Sequence, residues 1–491
     1  MNLAATIVSV LLAIVIWGYF KNNPMRHGRR FMIRRFVNWF PLGMTYAFLY
    51  MARYNLNVAQ GALGTRMSNQ DFGIIFGVGT GVYAFSFLVN GPLVDKIGGK
   101  KGILIAALGA TAANIVLGVL TFLLLTNRLK MNMVAVFSAV YAANMYFQSY
   151  GAVSIIKVKA YWFHVRERGV FGAIFGTLIS IGSYFAFDWG RGIVNLSAAK
   201  TPADAGWAYH LVRKLFGSSG GGIDATWAVF YIPAVILAGW AILDVWLIKD
   251  TPEEAGFPPF DTCDASSGHM NVQFTAFELV KKVLTSPILL LVAVVELTSG
   301  VFRNSVVQWY EPFAKDMNQP GSAFFVDNWG LLICVFGIIG GFAGGILSDK
   351  LFQSRRGPPA FLLCAAVLMM ALVMAAYLFS SPVVVGAAAV GIWMAGVGVT
   401  SLMSGSAATD FGGRTATATS SGIVDGFAYF GGSLQSFCLG FLVKSSWLWW
   451  PAFFVPFALI GGLVATRIWN ALPAATRKYI AEAENTPVPE I

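Results

Sequence analysis

The sequence is poor in charge. Only 12% of its 491 residues are charged, about half of the roughly 25% found in ordinary soluble proteins. Apolar runs of about twenty residues recur along the chain instead, and a run of that length can cross a bilayer as a helix. These runs exclude the soluble multidomain protein that the length alone would suggest. We therefore expect an all-α polytopic membrane protein.

Cysteine and catalytic motifs are also scarce. The four cysteines, Cys263, Cys334, Cys364 and Cys438, show no paired metal-ligand spacing, so neither a disulfide framework nor a metal site is expected. No GxxxxGK[ST] segment occurs, which argues against an ATP-powered pump within this chain. The apolar runs contain no metal cluster, acid pair or nucleophile–base constellation. We therefore expect no enzymatic activity and no cofactor.

The formal net charge is +11, and it comes from Lys and Arg in turns between apolar runs. Such residues are retained on the cytoplasmic side of a membrane, so topology explains the charge and no nucleic-acid partner is predicted. The basic turns contain Lys96, Lys100 and Lys101, then Arg166 and Arg168, then Lys350, Arg355 and Arg356. Their alternation with nearly uncharged turns places both ends of a twelve-helix core in the cytoplasm, and we expect the inner (plasma) membrane.

One span is predicted ahead of that core. Basic residues follow the apolar run 3–20 rather than precede it, which is typical of an uncleaved anchor with its N-terminus outside, and not of a signal peptide. The twelve core spans are expected near residues 37–58, 72–94, 103–126, 133–156, 169–187, 225–247, 287–310, 326–347, 360–379, 383–403, 421–443 and 448–468. The predicted fold is thus twelve core helices with one extra N-terminal transmembrane helix.

The spacing of the spans predicts the domain organisation. Residues 188–226 should form an external loop, and the FELVKKVL segment of the linker is compatible with a short amphipathic helix on the membrane surface. The predicted units are a transmembrane anchor with a basic cytoplasmic loop (1–35), a first six-helix half (36–248), a cytoplasmic linker (249–286), a second six-helix half (287–470) and a cytoplasmic tail (471–491).

A short motif occurs once in each half. Residues 91–102 read GPLVDKIGGKKG, and residues 345–357 read GILSDKLFQSRRG. The glycine permits close helix approach, and the charges could form contacts that break when the halves rock against each other. Ordinary basic cytoplasmic turns are the alternative explanation. The candidate gating residues in these turns are Asp95, Lys96, Asp349 and Lys350.

Two arginines are related by the same repeat. Arg53 lies in the first core span and Arg303 in the seventh, at nearly the separation that divides the two motifs. The motif and the arginine both recur at nearly the same sequence separation, which indicates a duplicated six-helix unit. A membrane-embedded Arg is costly and normally faces a polar cavity, where its planar fork can hold phosphate or carboxylate. Structural ion pairs with carboxylates such as Glu296 are the alternative.

The chain resembles the major facilitator superfamily and, within it, the organophosphate:phosphate antiporter family, which includes the glycerol-3-phosphate and hexose-phosphate transporters. The resemblance covers the twelve-helix core but not the extra helix, and it implies a six-plus-six bundle. The segments that carry it are YMARYNLNVA, QSYGAVSIIKVKAYWFHVRERG, FRNSVVQWYEP and TATATSSGIVDGFAYFGG.

The resemblance implies that Arg53 and Arg303 bind the phosphate group. Tyr46 and Tyr50 share a helical face with Arg53, and they either support the anion or form a buried aromatic stripe. Further candidates come from the matching segments or from carboxylates inside apolar spans. They are Lys157, which could instead be a rim lysine, Gln308, Trp309 and Tyr429 for substrate binding, and Glu296 and Asp425 for proton coupling or ion pairing.

Two positions depart from the family pattern. Ile179 stands where the phosphate transporters tend to have a histidine, and Phe87 stands where the glycerol-3-phosphate branch has a lysine. His164 and His210 are expected in loops and cannot replace the missing ring. The identity of the anion is therefore left open.

The expected function is secondary transport of an organic anion by alternating access. The most favoured substrate is a sugar or polyol phosphate exchanged for inorganic phosphate, carried by a monomer in the lipid bilayer. A proton- or sodium-coupled symporter of sugar acids or other carboxylates is one alternative, because the Arg-Tyr-Asn-Leu run of the first core span is also similar to the anion:cation symporter family. A non-transporting sensor of external sugar phosphate is the other.

Overall fold

The structure is a computed structural model that describes residues 3–164, 167–197, 226–259, 280–281, 284–353, 355–407 and 417–471. Each predicted span corresponds to a long helix. The first half, as defined here, contains α2 (Arg29–Leu63), α3 (Asn69–Ile97), α4 (Gly99–Leu125), α5 (Met133–Trp162), α6 (Arg168–Tyr184) with a π-helical segment (Phe185–Trp189), α7 (Gly190–Ser197) and α8 (Ala228–Leu247), and it follows α1 (Leu3–Lys21).

The second half has the same order of long helices. It contains α9 (Pro287–Met317), the short α10 (Ala323–Asp327), α11 (Trp329–Ile346) with a π-helical segment (Leu347–Leu351), α12 (Gly357–Tyr377), α13 (Pro382–Thr400) with a π-helical segment (Ser401–Ala407), α14 (Thr417–Leu442) and α15 (Trp449–Arg467).

Several helix ends are encoded by local capping residues. At the start of α3, the Ser68 hydroxyl accepts a hydrogen bond from the backbone of Asp71, whose carboxylate accepts one from the Ser68 backbone. This reciprocal pair satisfies two of the amides that a helix start leaves free. The Asn132 side chain caps α5 by accepting a hydrogen bond from the Ala135 amide. Helix α9 opens on Pro287 and ends at Asn318 in the left-handed conformation, as expected for a proline start and an Asn stop.

Nine of the described helices are long and apolar enough to cross a membrane by length and composition. The long helices α2, α5, α6 and α14 fall outside that group, and each carries buried polar side chains. Within the first half, for example, the Asn55 amide donates to Asn114 at 2.7 Å, Asn114 donates to Asn144 at 3.2 Å, and Asn144 donates to the Ala52 carbonyl at 3.0 Å. A helix enclosed by other helices can be polar because its side chains find partners inside the protein.

The two halves meet through α3 against α14 and through α6 against α11. Helix α3 lies so close to α14 that a Cβ at Gly73 would be 2.7 Å from both the Gly440 Cα and the Ser436 carbonyl oxygen. The Ser436 hydroxyl donates to the Gly73 carbonyl at 2.9 Å, and the Ser433 hydroxyl donates to the Gly77 carbonyl at 2.7 Å. These contacts hold the halves together at the end of the bundle that the charge pattern predicts to be external.

A second contact between the halves, at the same end of the bundle, corrects one prediction. The external loop was expected to begin at Asp188, but residues 188–197 continue the helix as the end of the π-helical segment and α7. Their polar side chains are satisfied by the second half: Asp188 accepts from the Gly330 amide at 2.9 Å, and Arg191 pairs with Glu311. Residues 198–225 of the predicted loop, which include His210, lie outside the described residues.

The extra helix α1 is held by a buried ionic cluster at the cytoplasmic end. Arg35 donates to both carboxylate oxygens of Glu167, at 2.8 and 2.9 Å, and both side chains are 1% exposed. The Arg35 Nε donates to the Tyr19 hydroxyl, which in turn donates to the Met32 carbonyl. Burial alone would raise the pKa of Glu167, but the neighbouring His27 and the hydrogen bonds from Arg35 lower it to about 2. Residues 29–35, predicted as part of the basic loop, therefore form the first turns of α2.

We expect Arg35→Ala to destabilise the protein by about 3–5 kcal/mol, because it leaves the Glu167 carboxylate buried without a cation. The measurement is thermal or denaturant unfolding of the detergent-solubilised protein. The exposed Arg29 at the start of the same helix is the matched control, and Arg29→Ala should change stability by no more than about 0.5 kcal/mol. Equal unfolding of the two variants would show that the cluster is not structural.

The first residues of the predicted linker (249–286) pack against the first half. The Lys249 amide donates to the Asn38 side chain at 2.7 Å, and the Lys100 amide donates to the Asp250 carboxylate at 2.7 Å. Most of the FELVKKVL segment and residues 472–491 of the tail lie outside the described residues.

Candidate anion-binding site

Arg53 lies in the middle of α2 and is 1% exposed. Its Nε donates to the Gln148 side-chain oxygen at 3.0 Å, and its Nη1 donates to the Tyr429 hydroxyl at 3.1 Å. The rings of Tyr50 and Tyr83 lie 4.6 and 4.4 Å from the guanidinium. The Nη2 is buried and makes no hydrogen bond of normal length and angle with a described residue. Arg53 thus keeps an unused donor.

Arg303 lies on α9 and is 17% exposed. Its Nη2 is 3.8 Å from the Glu296 Oε1, which is longer than a hydrogen bond. Its Nε is buried without a hydrogen-bond partner among the described residues. Gly396 on α13 makes room for this side chain, since a Cβ there would lie 2.9 Å from the Arg303 Cγ. Arg303 and Glu296 thus form the long ion pair that the alternative named, whereas Arg53 has no ion pair with a carboxylate among the described residues.

The two arginines share tyrosine neighbours. Tyr50 from the first half and Tyr429 from the second lie within electrostatic range of both guanidinium groups. Tyr429 also crosses between the halves, because it accepts a hydrogen bond from Arg53. The site thus joins one arginine from each half through tyrosines.

Aromatic rings surround the arginines. The Tyr46 and Tyr50 rings are 5.4 Å apart, and the Tyr83 and Tyr429 rings are 4.4 Å apart. Phe87, at the position where the glycerol-3-phosphate branch has a lysine, packs 4.9 Å from Tyr83 and 6.2 Å from Tyr429. An apolar ring therefore stands beside the site in place of a third cation.

Residues 42–436 match the sequence model described as the Major Facilitator Superfamily. The chain belongs to this superfamily. The predicted all-α polytopic membrane fold is thereby confirmed, and the protein is a multi-pass membrane transporter rather than an enzyme.

Known relatives show which members of the superfamily this chain is similar to. The membrane sensor protein UhpC of Salmonella typhimurium is 22% identical over 89% of this chain and 91% of its own length. The glycerol-3-phosphate transporter of Bacillus subtilis is 24% identical over 84% of this chain and 87% of its own. These relatives place the chain among organophosphate:phosphate antiporter-like members, as predicted.

A solved structure supports the fold alone. The inward-facing, unoccupied crystal structure of a bacterial homologue of the human lysosomal transporter Spinster superposes with a TM-score of 0.65 at 12% identity. The match covers 94% of this chain and 100% of the other.

Two residues predicted to bind substrate in this transporter are engaged elsewhere. The Gln308 amide donates to the Ser436 hydroxyl at 2.7 Å, and its oxygen accepts from the Gln435 amide at 2.8 Å. The Trp309 indole donates to the Gln435 oxygen at 2.9 Å. Both side chains are fully buried. These hydrogen bonds assign Gln308 and Trp309 to the packing of α9 against α14.

The remaining candidates lie toward the cytoplasmic side of the pair. Lys157 is on α5, nine residues beyond Gln148 and thus about 13 Å along the helix, and its Nζ is 5.8 Å from the Tyr161 ring. Asp425 accepts a hydrogen bond from the Ser404 hydroxyl at 2.6 Å. Lys157 and Asp425 are half-buried. Ile179, which stands where the phosphate transporters tend to have a histidine, is half-buried too.

The four predicted gating residues lie at helix ends. Asp95 and Lys96 belong to the last turn of α3, and Asp349 and Lys350 belong to the π-helical segment after α11. Both lysines are exposed, whereas the two aspartate side chains lie outside the described atoms. Helix α3 and the π-helical segment thus extend three or four residues beyond the predicted spans, and the gating role of these residues stays a prediction.

Sequence reasoning missed two contacts of Arg53. Gln148 and Tyr83 touch its guanidinium, but neither was a candidate. A signal for Gln148 was present: Asn144 and Gln148 are polar, sit four residues apart in an apolar helix, and so share one face. Tyr83 carried no comparable signal, since aromatic residues are common in membrane helices.

Proposed function

We propose that this transporter carries a phosphate ester, such as a sugar or polyol phosphate, in exchange for inorganic phosphate. The observation that carries the proposal is the pair of unused donors, Nη2 of Arg53 and Nε of Arg303, one from each half. Buried N–H groups without partners are rare in native proteins because each costs free energy. A bound anion would satisfy both at once.

Phosphate is a suitable ligand for such a site. Each guanidinium presents a planar fork that can donate two parallel hydrogen bonds to neighbouring phosphate oxygens. The surrounding tyrosine rings supply apolar faces against which a sugar or polyol carbon chain can pack. The glycerol-3-phosphate transporter of Bacillus subtilis, which is 24% identical to this chain, supports the same substrate class.

Alternating access would use the contacts between the halves. The external side is closed by Gly73 against Gly440 and by Asp188 against the Gly330 amide. An anion that bridges Arg53 and Arg303 would draw the halves together at the midplane, so that the closed external contacts could exchange for cytoplasmic ones. The charged ends of α3 and α11, which carry the repeated motif, are the candidates for the cytoplasmic contacts.

The test is uptake into liposomes that contain the purified protein. Liposomes loaded with phosphate should take up labelled glycerol 3-phosphate or glucose 6-phosphate while releasing phosphate, and liposomes loaded with chloride should take up much less. If no phosphate ester across a substrate panel is exchanged for phosphate, the proposal is wrong. Uptake of a sugar acid that collapses with a protonophore would indicate the symporter instead.

A sensor is the second candidate, since the membrane sensor protein UhpC of Salmonella typhimurium is 22% identical to this chain. A sensor and a transporter can share the binding site and differ in whether the halves interconvert. Thermal stabilisation of the purified protein by glucose 6-phosphate, combined with an absence of flux in liposomes, would favour the sensor.

A further inference from the structure

Glu296 is a buried carboxylate with one charged partner of opposite sign among the described residues. It lies two turns before Arg303 on α9 and is 0% exposed. Neither of its oxygens accepts a hydrogen bond of normal length and angle from a described residue. The 3.8 Å separation from Arg303 is its one ion pair among the described residues. Since an unpaired buried carboxylate is strongly unfavourable, the charge of Glu296 depends on Arg303.

The other groups that face Glu296 cannot replace this partner. Asp425 on α14 is also acidic, and it accepts a hydrogen bond from Ser404. The hydroxyls of Ser299 on α9 and Thr400 on α13 lie nearby and are hydrogen-bonded to each other at 2.8 Å. Arg303 is the cation in electrostatic range of Glu296 among the described residues.

We propose that Glu296 serves as the internal counter-anion of Arg303 in the empty carrier and takes up a proton when the transported anion binds Arg303. This inference rests on the proposed function, because it requires Arg303 to hold the substrate. Arg303 is one monovalent cation, and a substrate anion that claims its donors leaves Glu296 without compensation in a site nearly closed to water. A proton from solution then converts the carboxylate to a neutral acid, so one proton is bound for each anion bound.

A consequence follows for the transport cycle. An empty carrier with two uncompensated buried arginines would reorient slowly, which restricts a transporter to exchange. With Glu296 in place, Arg303 is neutralised and Arg53 is the one uncompensated arginine of the pair, so the empty carrier can return without substrate more readily. The protein should therefore support net, proton-coupled entry of its anion in addition to exchange.

The experiment compares two fluxes of labelled inorganic phosphate in liposomes. One is exchange of external for internal phosphate, and the other is net uptake into phosphate-free vesicles with an alkaline interior. The wild type should show both. Glu296→Gln should keep exchange within about threefold of the wild-type rate. Its net uptake should fall by about tenfold or more and should no longer respond to the pH gradient. A tenfold loss corresponds to about 1.4 kcal/mol, and an uncompensated buried charge costs more than that.

Two further variants control the comparison. Glu296→Asp retains a carboxylate one methylene shorter and should restore part of the net uptake. Glu253→Gln alters an exposed carboxylate in the linker and should leave both fluxes unchanged. Net uptake by Glu296→Gln with the wild-type pH response would overturn the inference, as would loss of both fluxes in that variant or absence of net uptake in the wild type. A wild type that exchanges no phosphate would instead contradict the proposed function.

Discussion

Arg303→Lys and Arg53→Lys should each lower phosphate exchange by about tenfold to a hundredfold. A lysine keeps the positive charge but loses the planar fork, and with it the second parallel hydrogen bond to the anion. A hydrogen bond to a charged group contributes about 1.5–3 kcal/mol, and about 2.7 kcal/mol is a factor of a hundred. Arg53→Lys should show the larger loss, because Lys cannot also donate to Gln148 and Tyr429, which the Arg53 Nε and Nη1 reach.

The measurement is the initial rate of labelled phosphate exchange in liposomes, together with stabilisation of the purified protein against heat by phosphate. Arg66→Lys is the matched control, since Arg66 is exposed and donates to backbone carbonyls in an external turn. It should exchange phosphate at the wild-type rate. If Arg303→Lys exchanged phosphate within about threefold of the wild-type rate, two parallel hydrogen bonds from Arg303 would not be needed for anion binding.

Gly73→Leu should separate the external ends of α3 and α14 and impair transport. A Cβ at Gly73 already lies 2.7 Å from two backbone atoms of α14, and backbone cannot move aside as a flexible side chain can. Overpacking of this kind costs about 1–3 kcal/mol, so the closed external side should become less populated and exchange should fall by about tenfold.

Accessibility to a membrane-impermeant maleimide gives a direct readout. In a background with the native cysteines replaced by alanine, Ser433→Cys should react slowly from outside, since Ser433 is buried between α3 and α14. Adding Gly73→Leu should accelerate that reaction. Gly239→Leu is the control, because no atom lies within 4 Å of a Cβ built there. Unchanged labelling and transport in Gly73→Leu would show that this contact is not the external seal.

The arginine pair could be predicted from the sequence because its signal is local. An Arg within an apolar span is conspicuous by itself, and the repeated motif relates Arg53 to Arg303 without any knowledge of coordinates. The partners of these arginines could not be predicted in the same way. Gln308 and Trp309 follow Arg303 closely in sequence, yet their side chains bind Gln435 and Ser436, since residues five and six positions further on point in other directions around a helix.

The partners of polar residues outside the site could not be predicted from the sequence either. Arg35 and Glu167 are each unremarkable basic and acidic residues in cytoplasmic turns, where the positive-inside rule explains the arginine fully. The structure joins them in a bidentate pair that also holds Tyr19 of the extra helix. Likewise Asp188 and Arg191 read as the start of a loop, and their partners in α11 and α9 explain why the helix continues.

The sequence by itself determined the membrane-spanning helices, their approximate ends and the two arginines, because the apolar length needed to cross a bilayer and the cost of a charge within it are properties of single segments. Only the tertiary structure decided which polar groups meet. Tyr429 reaches Arg53 from the opposite half of the chain, and Glu296 faces Arg303 at a separation too long for a firm hydrogen bond. Such pairings depend on how the helices rotate and pack against one another, and hydropathy carries no information about that rotation.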